Sequence, residues 1–257
     1  MNKIRIPGVV WIASDIHLAS HTPRTRRAFF QFLEDASERA DALVLCGDIF
    51  DAWIGDDLAL RDSPAWLGEV LDRLRKAAAA IPLWLGRGNR DFLLGADLAN
   101  YLGARLLPDV CHLGTDCGDI LLSHGDEYCV DDAAYQRFRR IVRNRLVQSL
   151  FLSLGMGPRR KIADWARRRS MAANRRKPVD IMDVSAPAVT RAFVRSGLST
   201  MVHGHTHRPA VHTVQAGGRQ CTRIVLPDWD YDGPRVRGGW LVIDEDGPRL
   251  VQAADRA

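Results

Sequence analysis

Five short polar clusters interrupt this 257-residue chain, and each is built from residue types that bind divalent metals. They are Asp15 with His17 (D-x-H), Asp48 with Asp51 (G-D-x-x-D), Asn89 (G-N-R-D), His124 (S-H-G-D), and His205 with His207 (G-H-T-H). Four of the eight histidines fall in this set. Imidazole, carboxylate and amide oxygen together form a borderline-hard donor set, suited to Mn²⁺, Fe²⁺, Zn²⁺ or Co²⁺ rather than calcium or copper(I). One ion needs fewer donors than the seven candidates Asp15, His17, Asp48, Asn89, His124, His205 and His207. Two ions fit if one carboxylate bridges them, and Asp48 is the natural bridge. Paired ions roughly 3.5 to 4 Å apart are a recurrent device for phosphoryl transfer. Singly, each fragment is a weak signal, and a lone buried histidine is more often a hydrogen-bonded core residue than a ligand. The order of all five, each at a predicted strand end, is what points to a metal centre.

The elements that must position these clusters read as an alternation of strands and helices. GVVWIAS (8–14), ALVLC (42–46), IPLWLG (81–86), DILLS (119–123) and LSTMVHG (198–204) are apolar runs that stop at polar residues. Helical patterns fill 23–39, 63–80, 92–101 and 185–196, and strand-like runs at 210–214, 220–227 and 239–243 complete the chain. Strands without polar alternation belong to sheets buried on both faces, so the expected fold is an α/β sandwich covered by helices. Ligands in such folds gather outside the carboxyl ends of the strands, where the polar clusters lie. Gly47, Gly88, Gly125 and Gly204 flank the candidates and let the backbone turn sharply and approach a metal or phosphate.

Composition sets the frame. Hydrophobic residues make up 46% and charged residues 26%, values of a globular chain that buries a real core. At this length a single domain over 1–257 is expected, carrying a subsidiary insertion at 131–180. The longest apolar runs fall short of the roughly 18 to 20 residues a bilayer span needs. The N-terminus reads as a first strand and not as an export signal. Cys46, Cys111, Cys117, Cys129 and Cys221 are odd in number and include no CxxC pair, which argues for a reducing compartment and against a disulfide framework.

Charge is unevenly placed. The net charge is +5, yet residues 137–177 hold 14 basic side chains against one acid, Asp164. Within this window LVQSLFLSLGM (146–156) carries seven apolar side chains in eleven, between Arg143 and Arg145 on one side and Arg159, Arg160 and Lys161 on the other. An apolar face with basic flanks suits an anionic leaflet or an acyl-chain pocket. A core-facing helix stripe is the alternative. The window interleaves few aromatic side chains, only Phe138, Phe151 and Trp165, whereas a single-strand nucleic-acid groove needs stacking platforms.

The ordered set D-x-H, GD-x-x-D, GN-x-D, H and G-H-x-H resembles the calcineurin-like metallophosphoesterase family. Within it, GDIFDAWIGDD, GNRDFLLG, SHGDEYCVDDAAYQ, S-M-A-A-N-R-R-K, IMDV and HGHTHRPAVH are similar to the branch that cleaves the diphosphate of UDP-2,3-diacylglucosamine in lipid A biosynthesis. The resemblance implies a metallophosphoesterase sandwich with a helical lid, two Mn²⁺ ions, attack at the α-phosphorus, and UMP with 2,3-diacylglucosamine 1-phosphate as products. It places Asp15, His17, Asp48 and His207 on one ion and Asp48, Asn89, His124 and His205 on the other, with Arg90, His205 and Asp48 catalytic. Asp51 then stays outside the ligand set, as a turn residue or an acceptor that orients a ligand histidine. Substrate contacts map onto Asn89, Arg90, Asp132, Tyr135, Ser170, Asn174, Lys177 and His205. The cysteines and the basic, apolar window together lead to the expectation of a cytoplasmic protein peripheral on the inner membrane, without nucleic acid or an obligate protein partner.

Many relatives carry His after G-N, where this chain has Arg90. A diphosphate leaves as a weakly basic phosphate monoester, whose charge needs neutralising more than protonating, and a guanidinium matches phosphate oxygens in geometry. A nuclease or other phosphodiesterase of the same family is the competing reading; a catalytically silent scaffold would be expected to have lost a ligand.

Overall fold

The computed structural model describes residues 3–61, 63–174 and 183–253, with residues 169–174 as backbone alone. Two six-stranded sheets face each other. One runs in the order β12 (Gly247–Gln252), β11 (Gly239–Asp244), β2 (Val10–Ala13), β3 (Ala42–Cys46), β4 (Leu83–Gly86) and β5 (Arg105–Leu106). The other runs β1 (Lys3–Arg5), β6 (Val110–Thr115), β7 (Gly118–Ser123), β8 (Thr200–His203), β10 (Arg219–Val225) and β9 (Ala210–Ala216). The ligand-bearing strands β2, β3 and β4 pair in parallel, as do β7 and β8, so their carboxyl ends leave each sheet on one side.

The period-two alternation of side chains sorts each strand between two apolar layers. Val10, Ile12, Ala42 and Val44 point between the sheets, where they meet Leu113, Ile120, Leu122, Val202 and Ile224. Trp11, Ala13, Leu43 and Leu45 point the other way, onto helices α1 (Pro23–Arg39) and α3 (Ala65–Ala80), which offer Phe29, Phe32, Leu33, Leu67, Leu71 and Leu74. On the far side, Leu121 and Met201 of the second sheet are covered by Ala188, Val189 and Phe193 of a later helix (Ala186–Ser196). The order of layers is helix, sheet, sheet, helix, as the continuous apolar strands require.

The helix expected over 23–39 is found with those limits, started by Pro23 in the first turn. The helix expected from 92 begins later, as α4 (Ala96–Leu102), because the backbone after Asp91 turns first, with Leu94 N–H donating to the Asp91 carbonyl. Short α2 (Asp57–Arg61) and the strands β5, β6 and β12 have no counterpart in the sequence reading, and the N-terminal segment read as one first strand forms two, β1 and β2. β6 mixes Gly114 and His112 into its run, and β12 is exposed and polar along much of its length, so neither shows an apolar block.

Between β7 and β8 the chain forms α5 (Ala133–Val142), α6 (Arg145–Leu152) and α7 (Met156–Asn174), followed by the covering helix α8 (Ala186–Ser196). Asp132 caps α5 by accepting from Tyr135 N–H, and Asn144 caps α6 by accepting from Leu146 and Val147 N–H. Neither α5 nor α6 has a fully buried residue. The apolar run at 146–156 is divided between two environments. Leu146 and Leu150 are 81% and 70% exposed, while Phe151 packs against the main core.

Candidate metal centre

Each candidate ligand follows the end of a strand. Asp15 and His17 leave β2, Asp48 leaves β3, Asn89 and Arg90 leave β4, His124 leaves β7, and His205 and His207 leave β8. Among the described residues the only non-glycine residues with positive φ are Asp15, His17, Asp48, His205 and His207, at 52° to 68°. A left-handed backbone disfavours side chains with a Cβ, and it persists only where the surroundings over-determine it. Gly88 and Gly204 show how closely the turns approach. A Cβ on Gly88 would lie 2.0 Å from Asp48 Oδ1, and one on Gly204 would lie 2.1 Å from Asp15 Oδ2.

Hydrogen bonds aim one oxygen of each buried carboxylate and leave the other free. Asp15 Oδ2 accepts from Ser14 Oγ at 2.5 Å and from His205 N–H at 2.9 Å. Asp15 Oδ1 is buried without a hydrogen-bond partner and faces His207 Nε2 at 3.3 Å and His17 Nε2 at 4.0 Å. Asp48 Oδ1 accepts from Arg90 N–H at 2.7 Å. Asp48 Oδ2 lies between two imidazoles, 4.0 Å from His17 Nε2 and 3.7 Å from His124 Nε2.

The histidines are oriented as well. His124 Nδ1 lies 3.2 Å from the Cys46 carbonyl and must donate to it, which leaves Nε2 free to face Asp48 and, at 3.2 Å, Asn89 Oδ1. The ring of His205 lies beside that of His124, with centroids 5.3 Å apart. His17 and His207 bring their Nε2 atoms within 3.3 Å of each other.

Two protonated imidazoles would repel at that separation, and two neutral ones meet well only if one donates its Nε2–H to the other. With the orphaned Asp15 Oδ1 and the carboxylate–imidazole–amide donor set, this arrangement fits divalent metal ions. Among the described residues, two groups of donor atoms are mutually close enough to hold one: Asp15, His17 and His207; and Asp15, Asp48 and His124.

The electrostatics have the same sense. Burial pushes the Asp48 carboxyl up to about 7, helped by Asp91 and Asp15 and opposed by His124. Burial alone would lower His124, but the carboxylates of Asp48, Asp15, Asp126 and Asp91 raise it to about 9. Burial would raise Asp15, yet the close approach of His207 and the charges of His124, His207 and His17 hold it well below the carboxylate range. Burial takes His17 down to about 3 and His205 to about 4. Buried carboxylates thus favour positive charge at His124, which a bound cation would supply in its place.

The other residues named from the sequence are distributed around this cluster. Among the described residues no acidic group pairs with the Arg90 guanidinium. Tyr135 stacks on His205, with centroids 6.0 Å apart and planes at 25°, and its hydroxyl donates to Asp126 Oδ2 at 2.6 Å. Asp132 is buried at the start of α5. Ser170 and Asn174 lie on the backbone of α7; their side chains, and Lys177, lie outside the described residues. Asp51 does not orient a ligand histidine; it pairs with Arg167 of α7 instead.

Three buried aspartates escaped the sequence reading. Asp126 and Asp91 stand inside S-H-G-D and G-N-R-D, where the neighbouring ligands drew the attention. Asp228 follows β10, lies 3.6 Å from His207 Nδ1, and is held by Arg237 Nε at 2.9 Å. Its signal was the polar cluster at one more strand end.

This chain belongs to the calcineurin-like phosphoesterase family, whose model matches residues 8–209. Within that family it is similar to proteins named UDP-2,3-diacylglucosamine hydrolase. It is 53% identical to the one from Bordetella parapertussis over 248 residues, 96% of each chain. It is 44% identical to the one from Stenotrophomonas maltophilia over 238 residues, 88% of this chain and 94% of that one. With the one from Pseudomonas paraeruginosa it shares 42% over 242 residues, 93% of this chain and 97% of that one.

Proposed function

We propose that this protein hydrolyses the diphosphate of UDP-2,3-diacylglucosamine at the α-phosphorus, giving UMP and 2,3-diacylglucosamine 1-phosphate (lipid X) for lipid A biosynthesis. The observation that carries the reading is a cluster of two buried carboxylates and four imidazoles, of which His124 is buried and His207 reaches solvent, beside Arg90, whose guanidinium pairs with no acidic group among the described residues. Relatives of that name over nearly the whole chain supply the substrate.

In this reading two Mn²⁺ ions are the cofactors. Asp15, His17, Asp48 and His207 would hold one, and Asp48, Asn89, His124 and His205 the other. Proximity alone puts Asp15 in both donor groups. The free oxygens favour Asp48 as the shared ligand, because Oδ2 of Asp48 faces both His17 and His124, while Oδ1 of Asp15 faces His17 and His207 on one side. When bound, such ions acidify water for attack on phosphorus and offset negative charge on the phosphoryl oxygens.

The chain's own groups do the rest. Arg90, tied to Asp48 through its backbone N–H, presents a planar fork to the leaving phosphate. His205, fixed by its N–H to Asp15 and by the Tyr135 ring, faces the same space. Asn89, Asp132, Tyr135, Ser170, Asn174 and Lys177 would contact the acylated sugar phosphate.

The helices within 131–180 act as a lid in this reading. Their exposed apolar side chains, Ile141, Leu146 and Leu150, stand among the basic residues of the window and suit acyl chains and an anionic inner-membrane surface on its cytoplasmic face. No helix among the described residues is long and apolar enough to cross a membrane.

The test is incubation of the purified protein with Mn²⁺ and UDP-2,3-diacylglucosamine in ¹⁸O-water, with products identified by mass. Label in UMP is expected. Label in the lipid phosphate overturns the site of attack. Cleavage of nucleic acid without cleavage of the acylated substrate overturns the substrate.

A further inference from the structure

Asp91 has no exposed surface, and its carboxylate is filled by backbone donors from two different loops. Oδ1 accepts from Gly88 N–H at 2.7 Å and Asp48 N–H at 3.1 Å; Oδ2 accepts from Ile49 N–H at 2.8 Å and Phe50 N–H at 3.4 Å. Three of the four donors are successive residues that begin at Asp48. Asp48 has φ of +52°, in the left-handed region. Successive N–H groups in such a turn converge on one point and form a nest that an acceptor group must fill. Asp91 fills it.

The exchange runs in both directions. While Asp91 accepts from the loop after β3, Asp48 Oδ1 accepts from Arg90 N–H in the loop after β4. Each loop therefore lends a carboxylate to the other's backbone. With its Oδ1 held in this way, Asp48 turns Oδ2 toward His17 and His124.

We infer that Asp91 is a positioning residue for the metal centre: by clasping the loops after β3 and β4 together, it holds Asp48 in its left-handed backbone and sets the direction of the oxygen shared between the ions. It touches neither substrate nor metal. Its effect reaches the reaction through Asp48, and the inference rests on the two-ion reading above.

The consequence separates it from an ordinary buried hydrogen bond. Asp91→Asn keeps the shape but leaves one acceptor oxygen and turns an NH₂ group toward N–H donors, so part of the nest opens. The protein should stay folded with Asp48 misaligned. Supporting groups around metal ligands typically contribute about 10- to 100-fold in metal affinity, and a loss of that size is expected here.

The experiment is calorimetric titration of metal-free protein with Mn²⁺, well below the melting temperature, alongside kcat and KM for a small activated phosphodiester. Asp91→Asn should weaken Mn²⁺ binding and lower kcat with KM little changed. Val189→Ala, in the cluster beneath α8 far from the site, should lower the melting temperature and leave Mn²⁺ affinity as in the parent protein. Wild-type Mn²⁺ affinity in folded Asp91→Asn overturns the inference. If Asp91→Asn does not fold, Asp91→Glu keeps two acceptor oxygens but displaces them by one methylene, and unchanged Mn²⁺ affinity there overturns it equally. Failure of the wild-type protein to bind any divalent ion is a different outcome, because it removes the two-ion reading itself.

Discussion

The loops of the metal centre and the three helices α5 to α7 are built on opposite principles. In the loops, the carboxylates and His124 are buried, backbone conformations are strained, and hydrogen bonds reach across the sheets to hold them. In the helices the backbone is regular, and large apolar side chains stand in solvent.

The helices are attached to the core chiefly by charged and polar contacts. Arg159 pairs with Asp57 and donates to the Ile54 carbonyl at 2.8 Å. Arg167 pairs with Asp51. Arg143 pairs with Asp109 and donates at 3.0 Å to the carbonyl of Gly88, beside Asn89. The contrast teaches that precision and adaptability draw on different interactions. A metal centre needs donor atoms fixed to fractions of an ångström, which only a packed core can supply. A surface for flexible apolar groups needs area left free, which is what the exposed face proposed above for acyl chains offers.

The sharpest break between the two regions is expected at neighbouring aspartates. Asp48→Ala should remove turnover, since it deletes the ligand proposed for both ions. Asp51→Ala should retain most of it, because it severs a pair with the partly exposed Arg167. Steady-state rates of the two variants decide the matter, and equal losses would mean that the helices are part of the catalytic frame.

Arg90→Ala should follow, lowering kcat by roughly 10²- to 10³-fold, the usual effect of deleting a group that meets developing charge. Arg90→Lys should recover only part, because an ammonium lacks the planar fork. A small diester with a very good leaving group should lose less, and an equal loss on both substrates would deny Arg90 its role at the leaving phosphate.

A third prediction concerns the exposed face. Replacing Leu146 and Leu150 by Ser should weaken use of the acylated substrate by roughly 1 to 3 kcal/mol per lost contact and reduce binding to anionic vesicles. Cleavage of a small diester should continue. Phe151→Ser should behave differently and lower the melting temperature, since that ring packs on the core. Parallel loss of both activities in the Leu146 and Leu150 variant would assign the face to the common frame.

The smallest effect is expected at Arg159→Ala, which strands the Ile54 carbonyl and should cost about 1 to 3 kcal/mol in urea unfolding. The hydrogen bond from Arg159 lowers the Asp57 carboxyl below its ordinary value. A carboxylate lowered on folding stabilises the protein above its unfolded value and loses that contribution as pH falls through the folded one. The difference between wild type and variant should therefore narrow in acid, and a gap that widens would contradict the pairing.

The sequence by itself determined the chemistry and the layering. Metal ligation accepts only a few residue types, so the candidate ligands Asp15, His17, Asp48, Asn89, His124, His205 and His207 are legible in the chain. Burial on both faces likewise forced β2 and β3 into unbroken apolar runs, and helix periodicity fixed α1. What only the tertiary structure decided is how those atoms are aimed and which apolar side chains stay in water. Asp91 meets Ile49 across 42 residues and His205 meets Asp15 across 190. Backbone N–H groups are alike at every position, so nothing in a sequence says which of them a distant carboxylate will fill. Leu150 and Phe151 are neighbours of nearly equal hydrophobicity, yet one is open to solvent and the other lies against the core, because the placement of α6 between the charged contacts of Arg143 and Arg159 sets which side of the helix finds a partner.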